Sequence, residues 1–262
     1  HAHLHKDHQV KPALEMNQVA QQLPPIVYIR KDDWHVAWCL PGRGVRFKTV
    51  RADPAEYCVV RDFTNATPLS QVRAAINGGF FEPVRAKGAN DPKTNTNVEM
   101  IAEVGTGKAG KWQYGKPVPI TRPGRWCFGI DTKGKISALG MERRVEERIG
   151  KDGKKERIKV FRVNSKIEGK FPFGLSNVGL LVQGGKRCDA PKEWPRHGDP
   201  AGRTALAWTT DGHIFFVTIP EKPGATWTQT ANFICNTLPE ILRKQPYRTM
   251  INPSTINAVM LD

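Results

Sequence analysis

Three times along the chain a run of strand-forming residues breaks at a short turn ending in Gly and then resumes. The segments are "WCFGIDTKGKISAL" (126–139), "VEERIGKDGKKERIKVFRV" (145–163) and "RTALAWTTDGHIFFVTI" (203–219). Gly supplies the positive φ that such turns demand, and two strands joined this closely can pair only antiparallel. "IVYIR" (26–30), "WHVAWC" (34–39) and "VRFKTV" (45–50) read as further short strands, and "NAVMLD" (257–262) as a last one. Helices are few. "ALEMNQVAQQ" (13–22) and "TPLSQVRAA" (67–75) suit short ones, and "TLPEILRKQ" (237–245) starts on a Thr237/Glu240 capping-box pattern with Pro239 in its first turn. The expected fold is therefore α+β: one domain of twisted antiparallel sheets over 25–262, preceded by a partly helical tail at 1–24.

The middle hairpin differs from the others in charge. Between Met141 and Lys170, eleven Lys and Arg stand against six Asp and Glu, so 141–170 reads as a basic, solvated arm. The whole chain shares this bias, with 40 Lys and Arg against 25 Asp and Glu and a net charge of +15. That balance favours anionic partners: phosphates, acidic polysaccharide, nucleic acid or an anionic membrane surface. The longest apolar runs, such as "HIFFVTI", are far shorter than the roughly 18 residues of a spanning helix, which predicts no helical membrane span. Cys39, Cys58, Cys127, Cys188 and Cys235 contain no C-x-x-C pair, which argues against a zinc ribbon. Two disulfides with one thiol, or five thiols, fit equally well.

Two motif-like stretches are better explained without chemistry. "GTGKAGK" (105–111) approaches a phosphate loop, but Trp112 stands where Ser or Thr must hold magnesium and no helix follows, so it reads as a basic loop. His1, His3, His5 and His8 form a His-rich tract that can bind transition metals adventitiously. "AAINGGFF" (74–81) is the more informative stretch. An apolar strand ends at Asn77, and Gly78 and Gly79 let backbone N–H groups approach an anion closely before Phe80 and Phe81 return to the core.

"AAINGGFF" is followed in order by "FGIDTKGKI" (128–136), "GLLVQGGK" (179–186), "GRTALAWTTDGHIFFVTI" (202–219) and the closing "TLPEILRK…AVMLD". This succession resembles the phosphodiester glycosidase family over roughly 45–262. Its departures are Gly179-Leu180 in place of Gly-Gly-Pro and the inserted "QPYRTMINPSTI"; beyond Asp262 the family pattern continues into glycines and a Ser or Thr.

The resemblance implies hydrolysis of a sugar-1-phosphodiester, in a glycan or in a surface polysaccharide reached by an exported protein. Breaking the anomeric bond builds positive charge on the ring and negative charge on the departing phosphate, so the site needs a cationic cradle and a carboxylate. On the matching positions, Asp262 is the carboxylate, Arg203 the phosphate-binding cation and Asn77 the amide that holds sugar hydroxyls or phosphate. Gly78, Gly79, Thr204 and Phe81 complete the pocket, with Gln183 and His197 as further binding candidates. Asp211 is explained by its hairpin turn. No cofactor is required, although a divalent cation such as calcium is compatible with a phosphate site. The alternative is a non-catalytic binder of anionic polysaccharide or nucleic acid on the same fold.

Overall fold

The computed structural model describes residues 22–50, 72, 74–76, 81–83, 98–100, 103–107, 112–113, 126–192, 194 and 196–261. Its strands, in chain order, are β1 (Ile26–Lys31), β2 (Trp34–Cys39), β3 (Phe81–Pro83), β4 (Val98–Met100), β5 (Val104–Thr106), β6 (Trp112–Gln113), β7 (Trp126–Ile130), β8 (Ile136–Gly140), β9 (Glu142–Ile149) and β10 (Lys155–Arg162). They continue with β11 (Phe173–Gln183), β12 (Lys186–Arg187), β13 (Arg203–Thr209), β14 (Ile214–Ile219) and β15 (Ile256–Met260). The α-helical pieces are α1 (Ser165–Glu168), α2 (Trp227–Asn232) and α3 (Leu238–Arg243). The fold is α+β, mostly antiparallel sheet with a few short helices, as the turn chemistry requires.

The main sheet has eleven strands with a central path β1-β2-β14-β13-β15-β11-β5-β6. All three expected hairpins form: β7 with β8, β9 with β10, and β13 with β14. β11 is the strand on which the sheet turns. Its C-terminal half pairs with β15, and its N-terminal half pairs with β5 and β7. The register shifts between Leu175 and Val178, where Asn177 takes φ 57°. A left-handed residue at such an irregularity bends the strand and lets it serve two sheets.

β13 is buried along its whole length because both of its faces are covered. Ala205 and Ala207 face a cluster that includes Trp38, Trp227, Leu238 and Met260, while Leu206 and Trp208 face one that includes Phe128, Val178, Val259 and Leu261. The small alanines leave room for the α2–α3 helix on the first side. On the second side the β7–β8 hairpin closes the core. "GTGKAGK" spans the connection from β5 to β6, with Val104 opposite Gln113, and Trp112 is a core residue whose indole N–H donates to Phe171 O at 2.8 Å.

Several local expectations are corrected. "VRFKTV" joins no strand ladder: side chains pin it instead, with Thr49 Oγ1 accepting the Gly174 N–H at 2.8 Å and Phe47 edge-on to Phe216. Helix formation near the C-terminus begins ten residues before the expected Thr237. The capping box is Thr226 with Gln229, and Thr237 makes no side-chain cap. Phe233–Thr237 widens into a π turn that ends two residues before Pro239, whose ring has no N–H to give the preceding turn. Val72 and Ala74–Ile76 are not helical, while the remainder of that proposed helix, and all of the N-terminal one but Gln22, lie outside the described residues. Cys39, Cys127, Cys188 and Cys235 are free thiols.

Candidate functional site

The described residues that flank the proposed site gather at one end of β13 and β15. Ala205 pairs with Met260, and the Leu261 N–H donates to Thr204 O at 2.8 Å, so the residue before Asp262 lies beside Thr204. Ile76, the residue before Asn77, packs with Ala74 against the same cluster that holds Leu261, Val259 and Leu206. Asn77, Gly78, Gly79 and Asp262 themselves lie outside the described residues, as do His1, His3, His5 and His8. Phe81 opens β3 opposite Met100.

Arg203 and Thr204 begin β13 and, being adjacent on a pleated strand, send their side chains to opposite faces. Thr204 shares the face of Leu206. Arg203 shares that of Ala205 and is buried on the helix side at 4 % exposure. Its guanidinium is a clamp on main chain: Nε donates to Ala225 O at 2.9 Å, and Nη2 donates to Asp199 O at 3.1 Å and to Arg196 O. The Nε/Nη2 edge therefore holds the Arg196–Pro200 loop rather than standing open as a bidentate phosphate fork.

That loop is a second charged layer. Arg196 Nη1 donates to Glu221 Oε1 at 2.5 Å, and Glu221 Oε2 accepts the Gly202 N–H at 2.7 Å. The Gly202 N–H and then Arg196 hold the Glu221 carboxyl below its usual range. His197 sits exposed on the loop, and its carbonyl accepts the Trp227 N–H at 3.0 Å, tying the loop to the start of α2. His197 is thus close to Arg203 through the backbone. Gln183 is not. It is exposed at the far end of β11, opposite Lys186, where the Gly184 N–H reaches Asn257 at the start of β15.

Gly179 lies on β11 opposite Met260. A Cβ there would come within 2.6 Å of the Trp227 ring and 2.8 Å of the Trp194 ring. The two indoles pack edge to face at 5.2 Å and are core, not an exposed sugar platform. Asp211 accepts from Thr209 Oγ1 inside the β13–β14 turn, which confirms its turn role.

One cluster escaped the sequence reading. Glu103, 1 % exposed, accepts from Arg162 Nη1 at 3.2 Å and from the Val163 N–H at 3.1 Å, while its own N–H donates to Ser176 Oγ at 2.6 Å. Arg162 in turn grips Glu146 in bidentate fashion at 2.6 and 2.8 Å. Burial pushes the Glu103 carboxyl up to about 7 against the pull of Val163 N–H and Arg162, and burial with Glu103 pushes the neighbouring Cys127 thiol up to about 12. The cluster anchors the root of the β9–β10 arm. Its one sequence signal is an acid inside the apolar run "MIAEVG". Among the described residues no group of three or more His, Cys, Asp or Glu is placed to hold a metal ion. No described helix is long and apolar enough to cross a membrane.

No family model matches the chain, and no curated protein matches it. Among solved structures, a hypothetical protein from Synechocystis is similar at a TM-score of 0.43 and 14 % identity, over 90 % of this chain and 55 % of that one. The chain thus spans little more than half of that neighbour's length, and a likeness at this level carries no statement about activity.

Proposed function

We propose that the protein hydrolyses a sugar-1-phosphodiester at the anomeric carbon, releasing the sugar and a phosphomonoester. The observation that carries the reading is the adjacency of three segments: Leu261, just past β15, donates its N–H to Thr204 O in β13, and Ile76 packs on the cluster that contains Leu261. Each lies next in sequence to a residue of the proposed chemistry, namely Asp262, Arg203 and Asn77. In this scheme the C1–O bond breaks with its electron pair leaving on the phosphate oxygen, and water supplies the oxygen that adds to C1. Asp262 stabilises the oxocarbenium-like ring or takes the proton of that water. Arg203 provides fixed positive charge near the departing phosphate and positions the 196–200 loop. Its role is electrostatic and positional, because two of its nitrogens already bind carbonyls. Asn77 and the N–H groups of Gly78 and Gly79 receive the phosphate or sugar hydroxyls.

The test is release of free sugar from a panel of UDP-sugars and synthetic sugar-1-phosphodiesters. Turnover by the wild type, lost on the order of a hundredfold or more in Asp262→Asn and Arg203→Ala, is the expected result for removing a charge-stabilising group. Equal turnover in wild type and both variants removes the proposed site. Binding of the anionic polymers without any turnover assigns the scaffold to a non-catalytic binder.

A further inference from the structure

The β9–β10 arm has two faces with different charge logic. The strands pair in register from Glu142↔Arg162 to Ile149↔Lys155, so alternate residues segregate cleanly. On the inner face three acids meet three arginines and pair locally. Arg162 holds Glu146, Arg148 holds Glu156, and Arg144 lies 3.5 Å from Glu142. That face also carries Ile158 and the fully buried Val160 toward the root.

The outer face carries Arg143, Lys155, Arg157 and Lys159 against Glu147 alone. Glu147 lies 4.0 Å from Lys155; among the described residues no carboxylate stands within ion-pair distance of Arg143, Arg157 or Lys159. Between these cations stand two branched aliphatic side chains, Val145 at 55 % exposure and Ile149 at 65 %. Each has a lysine as its direct cross-strand partner: Val145 faces Lys159, and Ile149 faces Lys155. At about 6.8 Å between same-face neighbours along a strand, the pattern from Arg143 to Ile149 extends over roughly 20 Å.

We propose that this outer face docks the arm on an anionic lipid bilayer. A soluble polyanion would use the cations and leave Val145 and Ile149 in water. A bilayer interface uses both, since lysine stems can run along the apolar boundary while their ammonium groups stay at lipid phosphates. Each Lys or Arg near an anionic surface contributes about 1 kcal/mol, so four cations against one acid give attraction that salt weakens. The inner face is charge-neutral and cannot compete for the same surface. This docking is independent of the hydrolytic site: it involves neither Arg203 nor the strand ends around Leu261.

The test is co-sedimentation of the full chain with large unilamellar vesicles of phosphatidylcholine, with and without about a third phosphatidylglycerol, a surface charge typical of anionic leaflets. Binding to the anionic vesicles only, reversed by salt, is expected. Lys155→Glu with Arg157→Glu and Lys159→Glu should abolish it. Val145→Ser with Ile149→Ser keeps every charge and should weaken vesicle binding about tenfold or more, as expected for two part-buried aliphatic side chains. Both sets of substitutions lie on exposed positions, and an unchanged circular dichroism melt verifies the fold. No binding to anionic vesicles, equal binding to neutral ones, or a serine double variant that binds like wild type overturns the proposal. In the last case, retained binding to duplex DNA or heparin by the serine variant would assign the face to a soluble polyanion.

Discussion

Arg162→Met removes the guanidinium that faces Glu103 while keeping an unbranched side chain in its place. In the native protein Glu103 titrates at about 7, against an unfolded value of about 4.3. The folded value is raised, so its contribution to stability is complete below the unfolded value, is lost as pH rises and levels off above about 7, where the group is ionised in both states. Without Arg162 the buried carboxyl keeps only Val163 N–H to favour its ionised form, and the folded value moves higher still. Loss then continues through alkaline pH at about 1.4 kcal/mol per pH unit. Near pH 6 the variant should be less stable by about 1–3 kcal/mol, from the charge-assisted bonds to Glu103 and to the part-exposed Glu146. Between about pH 7 and about pH 9 the gap should therefore widen, by up to roughly 3 kcal/mol. Urea unfolding at several pH values, with the two-state slope checked at each, measures this. A gap that stays constant across that range would refute the reasoning that Arg162 is what lets Glu103 ionise in the core.

Gly174→Ala should be severe. Its Cβ would lie 2.3 Å from the Phe128 carbonyl oxygen and 2.4 Å from the Trp112 ring, so a loss of about 3 kcal/mol or more is expected, read as a depressed melting temperature. A melt within a few degrees of wild type would show that β11 can shift at its crossing of β5 and β7. Thr226→Ala removes the side-chain acceptor for the Gln229 N–H at 3.1 Å and should cost about 1 kcal/mol by urea unfolding, with no cost expected from Thr237→Ala through capping. Arg203→Ala releases the carbonyls of Arg196, Asp199 and Ala225. Trypsin cleavage after the exposed Arg196 should then accelerate at least several-fold by mass spectrometry, and an unchanged rate would mean that the loop is held by the Arg196–Glu221 pair instead.

The sheet was readable because its information is local. Gly134, Gly153 and Gly212 take positive φ at the turns where the sequence placed them, and each turn fixes the register of its two strands. The C-terminal helix lies at Leu238–Arg243, where the sequence put it, but helix formation starts earlier, because the Thr237/Glu240 signal competes with an equally sound one in Thr226 with Gln229, and tertiary burial of Trp227 and Ala231 selects the earlier start. "VRFKTV" has a strand's composition but finds side-chain partners instead of a ladder. At the candidate site, two-residue periodicity was enough to show that Arg203 and Thr204 face opposite ways once β13 was recognised. The loop carbonyls that capture Arg203 come from turns whose geometry no periodicity encodes. The Glu103–Arg162 pair spans 59 residues and joins the arm's root to β5, so it exists only in the folded chain.

The most direct measurement is hydrolysis of a sugar-1-phosphodiester in oxygen-18 water, followed by mass analysis of both products. Attack at the anomeric carbon places the label in the released sugar and none in the phosphomonoester, which is the result predicted here. Label in the phosphomonoester, or no turnover across a panel of sugars, contradicts it.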